Sequence, residues 1–94
     1  MPALNLPQEL THDQAGDWLK SLIFTMKQEK SRQITADAAR LKHFDSSALA
    51  VLLACRREAL EVGKTFEVLN MPEKLRQLAV VYGVSDLLQS DPGA

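Results

Sequence analysis

The sequence predicts a small α/β domain in which helices pack against a mixed, mostly parallel sheet. Three short apolar segments alternate along the chain with three longer segments whose apolar residues recur at three- and four-residue spacing. Strands that alternate with helices in this way are typical of a mostly parallel sheet. The 94 residues contain no internal repeat and no linker, so we expect a single domain over residues 1–94, with 89–94 as a flexible tail.

The first half of the chain contains two predicted strands and the helix between them. Leu4 and Leu6 alternate with polar neighbours and are followed by a proline, which is typical of a short strand at a sheet edge. Thr11 can cap a helix whose apolar face continues to Met26. Residues 33–38 then suit a buried strand.

The second half begins with the clearest element, a helix over residues 48–62. Its first eight residues are small or aliphatic without interruption, the segment is too long for a strand, and Gly63 suits a left-handed helix cap. Residues 64–70 predict a strand, and residues 72–83 predict a last helix with a proline in its first turn. We expect the apolar residues of 84–88 to fold back onto the domain.

Composition limits the classes of function. The net charge is −1, and Lys and Arg are interspersed with Asp and Glu, so the clustered basic surface on which nucleic-acid binding depends is missing. No apolar run has the length of a membrane span, and the N-terminus lacks the basic and apolar regions of a signal peptide. The single cysteine, Cys55, fits a reducing compartment. We therefore expect a cytoplasmic protein that neither binds nucleic acid nor inserts into a membrane.

Residues suited to catalysis or cofactor binding are sparse. His12 and His43 have no cysteine or carboxylate at metal-ligand spacing, and the isolated glycines form no phosphate-binding loop. Ser46 and Ser47 lack the flanking glycines of a nucleophile elbow, and a hydrolase using Ser46 would need a base that only the fold could bring to it. Cys55 lies in an apolar helix, where a core or interface role is more common than a nucleophilic one. These absences favour a non-enzymatic protein without cofactor or metal.

Asp45, Ser46 and Ser47 stand at the start of the central helix. Asp45 can accept hydrogen bonds from the free backbone N–H groups there, and such a capping role alone accounts for the motif. A functional alternative is phosphorylation, which adds about −1.5 to −2 charges beside the positive end of the helix dipole. A phosphate there inverts the local surface potential without unfolding the helix, as a switch requires. Both interpretations remain open at this point.

The outer face of the central helix is a second feature. The residues expected to face the sheet are Leu49, Leu52, Leu53, Ala59 and Leu60. The residues expected to face outward are Ser47, Ala50, Val51, Ala54 and Glu58. The N-terminal half of that outer face is small and apolar, which is unusual for a solvated helix. Either another element of the chain covers it, or it is a docking surface for a partner.

Several segments together resemble the STAS domain family, named for sulphate transporters and anti-sigma factor antagonists. The family pattern is a strand ending in Asp, Asp-Ser-Ser opening a helix, a further strand and helix, and a Gly-Val-x-x-Leu tail. The matching segments here are 7–11, 34–37, 45–53, 66–70 and 82–88. Ala48 and Ala50 stand where the antagonists commonly carry glycine, and Thr11 stands where they usually carry Asp. The Leu-Ala-x-Leu-Leu run that follows the serine pair is more similar to the MlaB-type STAS subunit of the Mla phospholipid-transport ABC system.

The resemblance implies a non-enzymatic regulatory subunit that binds the ATPase subunit of an ABC transporter. Such a subunit would help to maintain outer-membrane lipid asymmetry and would be held at the inner membrane only through its partner. The alternative that the resemblance implies is an anti-sigma factor antagonist, whose partner is a serine kinase that phosphorylates Ser46.

The resemblance also assigns site residues. Ser46 would carry the functional hydroxyl, flanked by Asp45 and Ser47, with Asp37 as a neighbour at the end of the preceding strand. The apolar part of the contact is expected from Ala50, Val51 and Ala54. An exposed apolar face of this kind would also let the chain form a homodimer when its partner is absent.

Overall fold

The computed structural model describes residues 4–88, which form five strands and four helices. The strands are β1 (Leu4–Asn5), β2 (Glu9–Leu10), β3 (Gln33–Asp37), β4 (His43–Phe44) and β5 (Thr65–Leu69). The helices are α1 (His12–Gln28), α2 (Ser47–Glu61), α3 (Glu73–Val81) and α4 (Ser85–Leu88). The predicted strands and helices are all present, while β2, β4 and α4 were not predicted because such short elements show no periodicity. The predicted tail, 89–94, lies outside the described residues.

Every strand pair among residues 4–88 is parallel, which agrees with the mostly parallel character predicted for the sheet, although no antiparallel pair is present there. β1, β3 and β5 form one sheet with β3 in the middle, so β1 lies at an edge as expected. β2 and β4 form a separate parallel pair, with Leu10 opposite Phe44. Because parallel strands run in the same direction, the carboxyl ends of β3 and β5 meet at one end of the sheet, where Asp37 lies opposite Leu69.

The two faces of the sheet differ in polarity. On β3, Ile34 and Ala36 are buried, and they belong to the same core as the buried residues of the helices. On the opposite face, the carboxylate of Glu67 accepts hydrogen bonds from Gln33 Nε2 at 2.8 Å and from Thr35 Oγ1 at 3.3 Å. The alternation along β3 therefore places the core on one side of the sheet and a polar network on the other.

The ends of α1, α2 and α3 lie close to the capping residues predicted from the sequence. The backbone N–H of Thr11 donates to Gln14 Oε1 at 2.9 Å, which closes the N-terminal turn of α1. Gly63 and Gly83 follow α2 and α3 with φ angles of 77° and 71°, in the left-handed region that favours glycine. Leu88 is fully buried, so the residues after α3 do fold back onto the core. Among residues 4–88 no helix combines the length and apolar character needed to cross a membrane.

The rotation of α2 about its own axis differs from the prediction. Val51, expected to face outward, is 2% exposed, whereas Leu60, expected to face the sheet, is 48% exposed. The buried residues of α2 are Ala48, Leu49, Val51, Leu52, Cys55 and Ala59. α2 contacts α1, α3, α4 and β5, so it is buried over more of its circumference than a helix that covers only a sheet. The prediction failed because small and aliphatic residues occupy nearly every position of its N-terminal half.

Candidate functional site

Asp45 fixes the first turn of α2. Its Oδ1 atom accepts a hydrogen bond from the backbone N–H of Ser47 at 2.8 Å, which confirms the predicted capping role. Its Oδ2 atom accepts a second hydrogen bond, at 3.1 Å, from the backbone N–H of His12 at the start of α1. The Ser47 N–H, and to a smaller extent that of His12, stabilise the ionised form and hold the pKa of Asp45 below its ordinary value.

Ser46 is the residue that this arrangement presents to solvent. It is the N-cap of α2, with φ −64° and ψ −14°, and its side chain makes no capping hydrogen bond because Asp45 already fills that role. The side chain is exposed, and no histidine or carboxylate in residues 4–88 hydrogen-bonds to its hydroxyl. The hydroxyl at this positive helix end can therefore bind a partner or accept a phosphate, but no adjacent base activates it as a nucleophile.

An apolar groove extends from Ser46 along α2. The groove has a volume of about 370 Å³. It is lined by Ser46, Leu49, Ala50, Leu53, Tyr82 and Val84. Ala50, on α2, is exposed, and Tyr82, at the end of α3, is 57% exposed. Of the residues predicted for the outer face of α2, Ala50 alone lines this groove, and the opposite wall comes from the connection between α3 and α4.

A second apolar groove is lined partly by residues that neighbour those of the first groove in the sequence. It has a volume of about 360 Å³ and is lined by Phe44, Lys74, Gln77, Leu78 and Val81. Val81 is 78% exposed and directly precedes Tyr82, while only Asp45 separates Phe44 from Ser46. Adjacent positions in the chain, 81–82 and 44–46, therefore link the two grooves. We call the two grooves together with Ser46 the Ser46 surface.

The remaining predicted site residues do not line this surface. Asp37 ends β3, and its Oδ1 atom accepts hydrogen bonds from Asn70 Nδ2 at 3.0 Å and from the backbone N–H of Ala39 at 2.9 Å. These donors, Asn70 first, lower the pKa of Asp37, and none of them belongs to the Asp45 cap. Ala54 is half-buried, and the buried Val51 offers a partner no accessible side chain. The placement of Val51 on an outward face was wrong because α2 is rotated.

Sequence reasoning missed the contribution of α3 to the surface. Val80, Val81 and Tyr82 are three consecutive apolar or aromatic residues, and all three are more than half exposed. A helix face that packs on a core can bury only one or two of three consecutive residues. That run was the available signal, because it leaves apolar side chains that the domain itself cannot cover.

Cys55 is a core residue. Its side chain is 1% exposed, and burial raises the pKa of the thiol to about 12, so almost none of it is ionised at neutral pH. The prediction of a core or interface position is confirmed as a core position. Within residues 4–88, no three side chains of His, Cys, Asp or Glu come together as a metal site requires.

Comparison with known proteins gives a family and a fold. The family described as "Mlab, STAS domain" matches residues 1–89. No curated protein matches this sequence. Among solved structures, the anti-sigma factor antagonist SpoIIAA in its unphosphorylated form is similar, with a TM-score of 0.72 and 21% sequence identity. The alignment covers 95% of this chain and 78% of that one. Both findings agree with the resemblance seen in the sequence motifs, and the structural likeness confirms the predicted fold.

Proposed function

Because this chain belongs to the MlaB-type STAS domain family, we propose that its Ser46 surface binds the ATPase subunit of a phospholipid-transporting ABC complex. In this role the chain is a non-enzymatic accessory subunit, cytoplasmic and held at the inner membrane only through its partner. It supports the transport that maintains outer-membrane lipid asymmetry. The observation that carries the proposal is the exposed, unbonded hydroxyl of Ser46 in the lining of an apolar groove.

The shape of the Ser46 surface suits a protein partner. Ala50 has a small side chain, so the groove beside it can receive a large apolar side chain. Such a side chain would pack against Tyr82, and aromatic residues of this kind commonly dominate the energetics of interfaces. The hydroxyl of Ser46 would then supply a directional hydrogen bond at the edge of an apolar contact, a combination typical of specific interfaces.

A binding titration with purified ATPase subunit tests the proposal. Ala50→Glu places a charge in the groove and should weaken binding by about tenfold or more, since tenfold corresponds to only about 1.4 kcal/mol. Thr25→Glu is the matched control, because Thr25 is exposed on α1 and outside the Ser46 surface. Equal binding by wild type and Ala50→Glu would contradict the proposed interface, and no binding by wild type would contradict the proposed partner.

A second candidate function is that of an anti-sigma factor antagonist whose partner is a serine kinase. The observation that favours it is the accessibility of the Ser46 hydroxyl, which makes no hydrogen bond that phosphorylation would have to break. Mass spectrometry of the protein isolated from its host separates the two functions. Phosphate on Ser46, together with loss of partner binding on phosphorylation, would favour the antagonist, whereas an unmodified Ser46 in a stable complex with the ATPase would favour the transporter subunit.

A further inference from the structure

A polar groove adjoins the Ser46 surface. Its volume is about 430 Å³. It is lined by Glu9, Thr11, Lys42, His43, Phe44 and Lys74. Phe44 and Lys74 also line the neighbouring apolar groove, so the polar groove is a continuation of the Ser46 surface. A partner segment that lies in the apolar groove can therefore reach the polar one without leaving the protein surface.

The polar groove carries an excess of positive charge. Lys42 and Lys74 are exposed, and neither takes part in the two ion pairs formed among residues 4–88, Lys27–Glu58 and Arg76–Glu73. Glu9 supplies the carboxylate of the groove, and its Oε1 atom accepts a hydrogen bond from Gln14 Nε2 at 3.4 Å. The lining of the groove therefore contains two ammonium groups and one carboxylate, which leaves an excess of one positive charge.

The backbone determines the positions of Lys42 and Lys74 in the groove. The backbone N–H groups of Lys42 and His43 both donate to the carbonyl of Gln8, at 2.8 and 2.9 Å, and β4 pairs with β2 directly afterwards. Lys74 lies in the first turn of α3, which begins at Glu73. A cation is unfavourable at the positive end of a helix dipole, whereas an anion there is stabilised. An anionic occupant would therefore be stabilised both by the lysine ammonium groups and by the start of α3.

We propose that this groove binds an acidic segment of the partner ATPase, with carboxylates at Lys42 and Lys74 and a neighbouring apolar side chain on Phe44 and Val81. The inference rests on the proposed function, because it specifies the chemistry of the partner at the same surface. The chain as a whole has a net charge of −1, so this acidic segment is recognised by a local arrangement of charge and not by a generally basic surface.

Zero-length cross-linking with a carbodiimide tests the contact directly, because it joins an amine to a carboxylate only where the two groups touch. In the complex of the full chain with the purified ATPase subunit, we expect cross-links from Lys42 or Lys74 to Asp or Glu of the partner. Lys20 and Lys30, which are exposed elsewhere, should give none. Cross-links from all four lysines at equal yield, or from Lys20 and Lys30 alone, would overturn the inference.

Charge reversal provides the quantitative test. The double variant K42E/K74E should weaken ATPase binding about tenfold or more at low salt and reduce the salt dependence of the association rate, since exposed charges act mainly through screened attraction. The control K20E/K30E changes the net charge equally and should leave the affinity within twofold. Melting curves show whether each variant is folded.

The outcomes separate this inference from the function on which it rests. If Ala50→Glu abolishes binding while K42E/K74E binds like its control, the docking surface stands and the acidic segment is wrong. If wild type does not bind the ATPase at all, both are wrong. If K42E/K74E loses binding only to vesicles of anionic phospholipid and keeps full affinity for the ATPase, the groove binds a membrane surface and the inference is overturned.

Discussion

The carboxylate of Asp45 accepts a hydrogen bond from the backbone N–H of His12, 33 positions earlier in the chain, at 3.1 Å. Its other oxygen accepts from the N–H of Ser47 at 2.8 Å. One side chain therefore binds the free N–H groups at the N-terminal ends of α1 and α2 together. Since Ser46 lies between Asp45 and Ser47, this double cap determines where the Ser46 hydroxyl stands relative to both helices.

Asp45→Ala should lower the melting temperature by a few degrees, because both helix ends lose an acceptor. Ser46→Ala is the control, since the Ser46 hydroxyl makes no capping hydrogen bond and its removal should leave the melting temperature nearly unchanged. Circular dichroism melts of the three proteins give the comparison. If Ser46→Ala is as destabilising as Asp45→Ala, the serine and not the aspartate caps α2.

Asp45 should also make the free energy of unfolding depend on pH. The pKa of Asp45 is lower in the folded state than its ordinary value of 3.8, because backbone N–H groups stabilise the carboxylate. A group with a depressed folded pKa contributes stability that is present above the unfolded pKa and is lost as the pH falls through the folded pKa. The difference in free energy of unfolding between wild type and Asp45→Ala should therefore be constant near neutral pH and shrink below the ordinary value. A difference that stays constant down to pH 2 would contradict this role.

The same substitution should change the stability of the domain by very different amounts at two neighbouring positions of α2. Val51→Glu buries a carboxylate at a position that is 2% exposed and should cost about 4 kcal/mol or more, enough to unfold much of a small domain. Ala50→Glu adds the same side chain at an exposed position and should change stability by less than about 0.5 kcal/mol. Urea unfolding of both variants measures this. A cooperative, stable Val51→Glu domain would contradict the observed rotation of α2.

That pair of residues also shows how far the sequence predicts the structure. The order of the long elements was predictable, because α1 and α3 combine apolar periodicity with clear ends such as Thr11 and Gly83. The rotation of α2 was not, because a helix with apolar residues on nearly all sides gives no single direction for its core. Its orientation is decided by packing against α1, α3 and α4, which are distant in the sequence.

Only part of the candidate site could likewise be predicted from the sequence. The position of Ser46 at a helix N-terminus follows from the local Asp-Ser-Ser motif, so the sequence was sufficient to find it. The wall formed by Tyr82 and Val84 is brought to Ser46 only by the tertiary fold. Lys42 and Lys74 line one groove only because the fold brings the start of β4 and the start of α3 together. No spacing in the sequence indicates that two such distant lysines share a groove.

Lys64 should stabilise the connection between α1 and β3. Its Nζ atom donates to the backbone carbonyls of Glu29 at 2.7 Å and Ser31 at 2.6 Å, just after the C-terminal end of α1. A cation is favourable there because the helix dipole is negative at that end. Lys64→Met keeps most of the aliphatic stem and should cost about 1.5–3 kcal/mol, the range for a hydrogen bond to a charged group. The exposed Lys30→Met is the control, and equal stability of the two variants in urea would contradict the role of Lys64.

Ser46→Asp should weaken binding of the partner while leaving the fold intact. An acidic residue is acceptable to the start of a helix, so the melting temperature should stay close to that of wild type. At the interface, however, the new carboxylate stands beside Asp45 and next to apolar groove walls that a partner must desolvate, so we expect affinity for the ATPase to fall about tenfold or more. Ser21→Asp, at an exposed position of α1, controls for the added charge.

Undiminished affinity of Ser46→Asp in a calorimetric titration would remove Ser46 from the interface, even if Ala50→Glu still abolished binding. Loss of affinity by Ser46→Asp, with Ser46→Ala binding like wild type, would mean that the hydroxyl marks the interface without contributing a required hydrogen bond.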